Sequence, residues 1–109
     1  MRVTPDVASY CAKRLEVLEK HIAPDDTMAR AAVEFEKMTA HRSGNIFRAE
    51  ITLRTREGHF RAEATADSLY AAIDAMQKEI ERELRRKKEK KTGAVRTGGR
   101  KIKRILRSA

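Results

Sequence analysis

Seven cations fall within ten residues near the end of this 109-residue chain: Arg82, Arg85, Arg86, Lys87, Lys88, Lys90 and Lys91. Lysine and arginine at that density, with no aromatic side chains between them, hold phosphate oxygens rather than read base edges. On a helix rising about 1.5 Å per residue, the run makes a cationic rod end roughly 14 Å long. The plainer reading is a solvated Lys/Glu face. Asp74–Lys78, Glu81–Arg85 and Glu83–Lys87 are i,i+4 pairs in the favourable order, each contributing about 0.2–0.5 kcal/mol. That accounts for the run as far as Lys87. It does not account for Lys88 to Lys91, where bases outnumber acids three to one.

Other reactive residue types do not assemble into a catalyst. His21, His41 and His59 show no HxH or HxxxH metal-ligand spacing and read as surface histidines. Cys11 lies on an apolar seam, where a thiol behaves as a small hydrophobe and burial raises its pKa. Asp74, Glu79 and Glu81 have bases beside them, which favours ion pairing over acid–base work. Gly98-Gly99 opens no helix and is not a phosphate loop. Tyr10 and Tyr70 flank helix seams, so packing is favoured over base stacking. No enzyme activity, metal, cofactor or small-molecule substrate is expected.

Charge is distributed unevenly. Residues 82–109 carry 13 Lys/Arg and 2 acids, whereas residues 1–81 carry 12 and 14. The whole net charge of +9 therefore resides in the last quarter. Such asymmetry points to a polyanion, nucleic acid or an anionic membrane surface. No apolar run approaches the roughly 20 residues that span a bilayer, and the N-terminus has no signal-peptide apolar region. A single cysteine allows no intramolecular disulfide and suits a reducing compartment, so a cytoplasmic protein without a membrane partner is expected.

The elements that position these residues follow from periodicity. Leu69, Ile73, Met76, Ile80 and Leu84 make one apolar stripe on a helix beginning at Asp67, a candidate N-cap. Thr4-Pro5 starts an earlier helix over about 5–21, with Val7, Cys11, Leu15, Leu18 and Ile22 at helical spacing. Between them the period becomes two. Ala31, Val33 and Phe35, then Phe47, Ala49, Ile51 and Leu53, then Phe60, Ala62 and Ala64 alternate with polar residues. Turns fall at His41–Asn45 and Arg56–Gly58. This predicts an α+β fold, with two helices packed on one face of a three-stranded antiparallel sheet. The order α-β-β-β-α is also that of double-stranded-RNA-binding domains, although those grip phosphates at the start of the second helix. The domain is expected over 1–91, followed by a basic, disordered tail over 92–109 in which Ile102, Ile105 and Leu106 could form one helical turn on binding.

Asp67-Ser68-Leu69-Tyr70-Ala71-Ala72-Ile73-Asp74, followed by a helix closing in Arg82–Lys90, resembles the ribosome hibernation promoting factor family, also called ribosome-associated inhibitor or S30AE proteins. Thr4-Pro5 and the strands at Phe47–Leu53 and Gly58–Ala64 are similar too, so the resemblance covers about residues 4–91. The signature has one extra residue between Asp67 and Tyr70, and Leu69 at a usual Met position. The resemblance implies a protein that sits on the small ribosomal subunit, in the channel of messenger RNA and tRNA anticodons, and keeps idle ribosomes from translating. It implies that Arg82, Arg85, Arg86, Lys87, Lys88, Lys90 and Lys91 face ribosomal RNA, with Lys13 and Lys20 as weaker contacts. Tyr70 and Asp74 would orient the helix on the sheet.

Two departures accompany the resemblance. The family normally begins with a strand before helix one, and only Met1–Val3 stands there, so the edge at 30–37 is expected to be open unless a partner or upstream residues cover it. The family's long form adds a C-terminal dimerisation domain; this chain, with its basic tail alone, is similar to the short form. Two other functions fit the residues. One is a general RNA or nucleic-acid binder acting through the basic helix end and tail. The other is a protein-interaction module using the open sheet edge.

Overall fold

Pro5 begins the first helix because Thr4 caps it. The Thr4 hydroxyl accepts from the Val7 N–H at 3.2 Å, and proline at the first position has no N–H to leave unpaired. The computed structural model describes residues 3–40, 44–90 and 103–108. Helix α1 spans Pro5–Glu16. The single helix expected over 5–21 instead tightens into a 3₁₀ segment, Val17–His21, which keeps Leu18 buried. The loop that follows is tied to the sheet by Asp26, which is only 2% exposed. Its carboxylate accepts from the Met28 N–H at 2.9 Å and the Arg56 N–H at 2.8 Å. Arg56 also grips Asp25 with both terminal nitrogens, at 2.9 and 2.8 Å.

Strands β1 (Arg30–Ala40), β2 (Gly44–Thr55) and β3 (Gly58–Ala66) form the expected antiparallel meander. Register places Val33 opposite Ile51 and Ile51 opposite Ala62, so one face carries an apolar row across all three strands. At the β2–β3 turn the Glu57 N–H donates to the Thr55 hydroxyl at 3.1 Å. Gly58 has φ +146°, a backbone conformation that calls for glycine, whereas a Cβ there would meet only the flexible end of Lys87 at 3.3 Å.

Helix α2 (Leu69–Lys90) crosses the apolar face. Its cap is Ser68, not the expected Asp67: the Ser68 hydroxyl accepts from the Ala71 N–H at 3.1 Å. Serine and aspartate cap about equally well, so the start is set by Leu69, the first side chain that must be buried. Leu69, Ile73, Met76, Ile80 and Leu84 pack with Val33, Phe35, Ile51 and Leu53 from the sheet and with Val7, Cys11, Leu15 and Leu18 from the first helical segment. Most are fully buried, and each large aliphatic side chain contributes about 1.5–3 kcal/mol. The predicted two-layer α+β architecture is the observed one.

The region expected to be a structureless tail contains one more strand. Strand β4, Lys103–Ser108, lies parallel beside β1, giving the sheet order β3-β2-β1-β4. The edge expected to be open at 30–37 is therefore paired over Arg30–Phe35. The register puts Leu106 opposite Val33 and Arg107 opposite Glu34. The unpaired N–H and C=O groups of β1 gain ladder partners without a neighbouring chain. The intervening segment 91–102, including Ile102 of the expected helical turn, lies outside the described residues, as do residues 41–43 of the expected first turn. Among the described residues, no helix is long and apolar enough to cross a membrane.

Candidate nucleic-acid interface

The helical layer has an outer surface that follows directly from the buried stripe. On α2, Lys78, Arg82 and Arg85 are exposed at i, i+4 and i+7, with Arg86 beside them. On the first helical segment, Lys13 and Lys20 are exposed. The two helices meet along a polar seam. Tyr10 donates its hydroxyl to Asp74 at 2.6 Å, and the Arg14 guanidinium reaches the same carboxylate at 2.8 Å. The bond to Asp74 and partial burial hold the Tyr10 phenol above its usual pKa range. Tyr70 meets Tyr10 edge to face, with centroids 5.0 Å apart. Tyr70 and Asp74 thus orient α2 on α1, where the sequence suggests orientation on the sheet.

Further along the seam, Glu81 is a hub. Its carboxylate lies 3.2 Å from His21, 3.5 Å from Arg85 and 3.7 Å from Lys20. Burial raises its pKa, but the His21 hydrogen bond and the nearby Arg85 and Lys20 charges outweigh that and leave it lowered. His21 is therefore a correction: it was expected at the surface, yet its side chain is 9% exposed against Glu81. His59 is exposed as expected, and His41 lies outside the described residues. Cys11 is buried on its seam.

Three of the predicted cations share one environment. Arg82, Arg85 and Arg86 have side chains 64%, 61% and 58% exposed, each paired with an acid within one turn: Glu79 at 3.2 Å, Glu81 at 3.5 Å and Glu83 at 3.3 Å. Of the three i,i+4 pairs expected from spacing, only Glu81–Arg85 is among these contacts; Asp74 is engaged by α1 and Glu83 pairs with Arg86. The Arg82 and Arg86 pairs, exposed at both ends, contribute about 0–1 kcal/mol, and Glu81, 13% exposed, keeps His21 and Lys20 if Arg85 turns away, so a phosphate can take each arginine at little cost.

The other predicted cations divide. Lys87 folds back over the β-hairpin, its ammonium 5.9 Å from the Phe60 ring centroid, and is half-buried. It packs as well as presenting charge. Lys88 and Lys90 belong to the last turn of α2, but their side chains, and Lys91 altogether, lie outside the described residues. Lys78 and Arg14 are not among the cations that the sequence marks for the interface. The signal for Lys78 was its spacing of four and seven from Arg82 and Arg85. Nothing local marked Arg14, whose partner is 60 residues away in sequence.

Among the described residues, this arrangement sets no nucleophile beside a base on its surface. It offers fixed cations on rigid helices at the end of a two-layer domain, suited to a shaped anionic backbone. The crystal structure of the Thermus thermophilus Protein Y N-terminal domain has a similar fold, with a TM-score of 0.59 at 24% identity over 79% of this chain and 87% of that one. No curated protein sequence matches significantly. The model of the Ribosomal_S30AE family, described as Sigma 54 modulation protein / S30EA ribosomal protein, matches residues 1–92. With that match spanning most of its length, the chain belongs to the Sigma 54 modulation protein / S30EA ribosomal protein family.

Proposed function

We propose that this protein is a cytoplasmic ribosome-binding factor that docks on the small subunit through ribosomal RNA, occupies the channel of messenger RNA and tRNA, and holds idle ribosomes in hibernation. Family membership supports the association with ribosomes. The observation that carries the reading is the exposed trio Arg82, Arg85 and Arg86, each with its nearest carboxylate on its own helix. Lys13, Lys20 and Lys78 extend the same surface. Cations held on packed helices meet a folded RNA without ordering a loop, so less binding energy is lost to entropy. Their long side chains contact phosphates whatever the local sequence. That suits a factor that must sit on every ribosome alike and block ligands by occupancy.

The test is co-sedimentation with purified ribosomes and separated subunits, in the presence of excess free RNA and at two salt concentrations. The reading predicts that the protein stays with the small subunit and the whole ribosome against the competitor, and that it displaces messenger RNA bound in the channel. Removal by free RNA would replace this reading with the general RNA-binding one. Retention without displacement would keep the ribosome and exclude the channel.

A further inference from the structure

Two rows of like charge cross the sheet face that the helices leave open, and only one is neutralised. Register lines up Glu34, Glu50 and Glu63 across β1, β2 and β3. Like charges directly opposite one another on neighbouring strands are destabilising, and here the arginines of adjacent rows relieve this. Arg48 reaches Glu50 at 2.9 Å, Glu63 at 2.6 Å and Glu36 at 3.9 Å. The Arg61 Nε lies 2.8 Å from Glu50. Glu50 is 8% exposed, so this network is closed within the fold.

The second row is Arg30, Arg54 and His59, again directly opposite one another, and β4 places Lys103 at the next register position. All three are exposed. Among the described residues, no carboxylate pairs with Arg30 or Arg54. With strands about 4.8 Å apart, the three side chains span roughly 10 Å. They line an open recess of about 290 Å³ together with Met28 and Thr55, and no carboxylate shares its wall. His59 also lines a second recess, of about 200 Å³, with Phe60, Glu83, Arg86 and Lys87. Glu83, the carboxylate in that wall, is already paired with Arg86. The two recesses adjoin at His59, on the outer strand β3. A basic band therefore runs from the end of α2, around the sheet edge, onto the opposite face.

We propose that Arg30, Arg54 and His59 form a second phosphate-binding row that receives the backbone of the RNA lying on the end of α2. This rests on the RNA-binding reading above and places the contact on the other layer of the domain. A row that folding leaves uncompensated is explained by a ligand that compensates it. A phosphate backbone is an anion with several charges in line, and on the reading above it has a place at Arg86, next to the band.

The full chain is titrated into a labelled RNA duplex of about 16 base pairs, the span suited to shape recognition, over a series of salt concentrations. The variants are Arg30→Ser, Arg54→Ser, the double variant, and Lys37→Ser as a control seven residues along β1 from Arg30. Each row substitution should weaken binding several-fold near physiological salt and reduce the slope of log K against log salt by about 0.7–0.9, the double variant by about twice that. Lys37→Ser should leave the slope unchanged. Thermal unfolding of the double variant should be no earlier than that of the parent, since a like-charge contact is removed, and Arg30→Lys/Arg54→Lys should restore the slope. A double variant with the parent slope, or one matched by Lys37→Ser, overturns the row. If Arg82→Gln/Arg85→Gln then weakens binding, only the row falls; if that variant too is unaffected, the RNA-binding reading falls with it.

Discussion

The two ends of α2 carry the same kinds of side chain in opposite states. Between Leu69 and Glu81, two of the three acids are directed at the neighbouring helical segment: Asp74 holds Tyr10 and Arg14, and Glu81 holds His21 and Lys20. These contacts cross more than 50 residues of sequence and fix one helix against the other. Toward the cationic end, Glu79 and Glu83 are used only within the helix, each one turn from an arginine that is mostly exposed. Charge in the first part is consumed by folding; charge in the second remains available. The first part is therefore assigned to architecture and the second to recognition, although composition changes only gradually between them.

The comparison breaks most visibly in the core. Ile80→Ala empties a fully buried site between α2 and the sheet and should cost about 2–5 kcal/mol, read as an earlier midpoint in urea with little change in slope. Asp74→Ala should cost less, about 1 kcal/mol, because it leaves the Tyr10 hydroxyl without its acceptor at a half-exposed site. The same change should return the Tyr10 phenol toward its ordinary pKa, visible in an ultraviolet titration. Larger losses at Asp74 than at Ile80 would show that the seam, not the core, holds α2.

Glu81 gives a pH test of the same seam. Its folded-state pKa lies below the ordinary 4.5, so its contribution to stability is present above that value and lost as pH falls through the folded-state value. Glu81→Gln should therefore lower stability at neutral pH and flatten the decline in stability as pH falls below the ordinary carboxylate value of 4.5. An unchanged acid limb would remove Glu81 as a hub. The smallest stability effects belong to the cationic end. Arg82→Gln, Arg85→Gln and Arg86→Gln should each move stability by at most about 0.5 kcal/mol, since the pairs are exposed and glutamine favours a helix as well as arginine does.

Legibility followed the range of the interactions involved. The apolar stripe from Leu69 to Leu84, the Thr4-Pro5 start and the alternation in β1 to β3 were readable because periodicity is local and the side chains that obey it are many. Strand β4 was not readable: in Lys103–Ser108 only Ile105 and Leu106 are apolar, and what makes the segment a strand is the edge of β1, some 70 residues earlier. The cationic trio was visible as composition, whereas its exposure and the withdrawal of Lys87 over Phe60 required the hairpin to be in place. His21 looked like a surface residue because its partner, Glu81, is 60 positions away. The row Arg30, Arg54 and His59 exists only through register; no spacing in the chain announces it.

The most direct measurement of the central claim is binding of the Arg82→Gln/Arg85→Gln/Arg86→Gln triple variant to purified small ribosomal subunits across a salt series, with circular dichroism of the same samples. The account predicts an unchanged spectrum, much weaker binding, and a salt slope reduced by about 2–3 for three lost phosphate contacts. Undiminished binding with the parent slope would contradict it and move the ribosome-facing surface away from the end of α2.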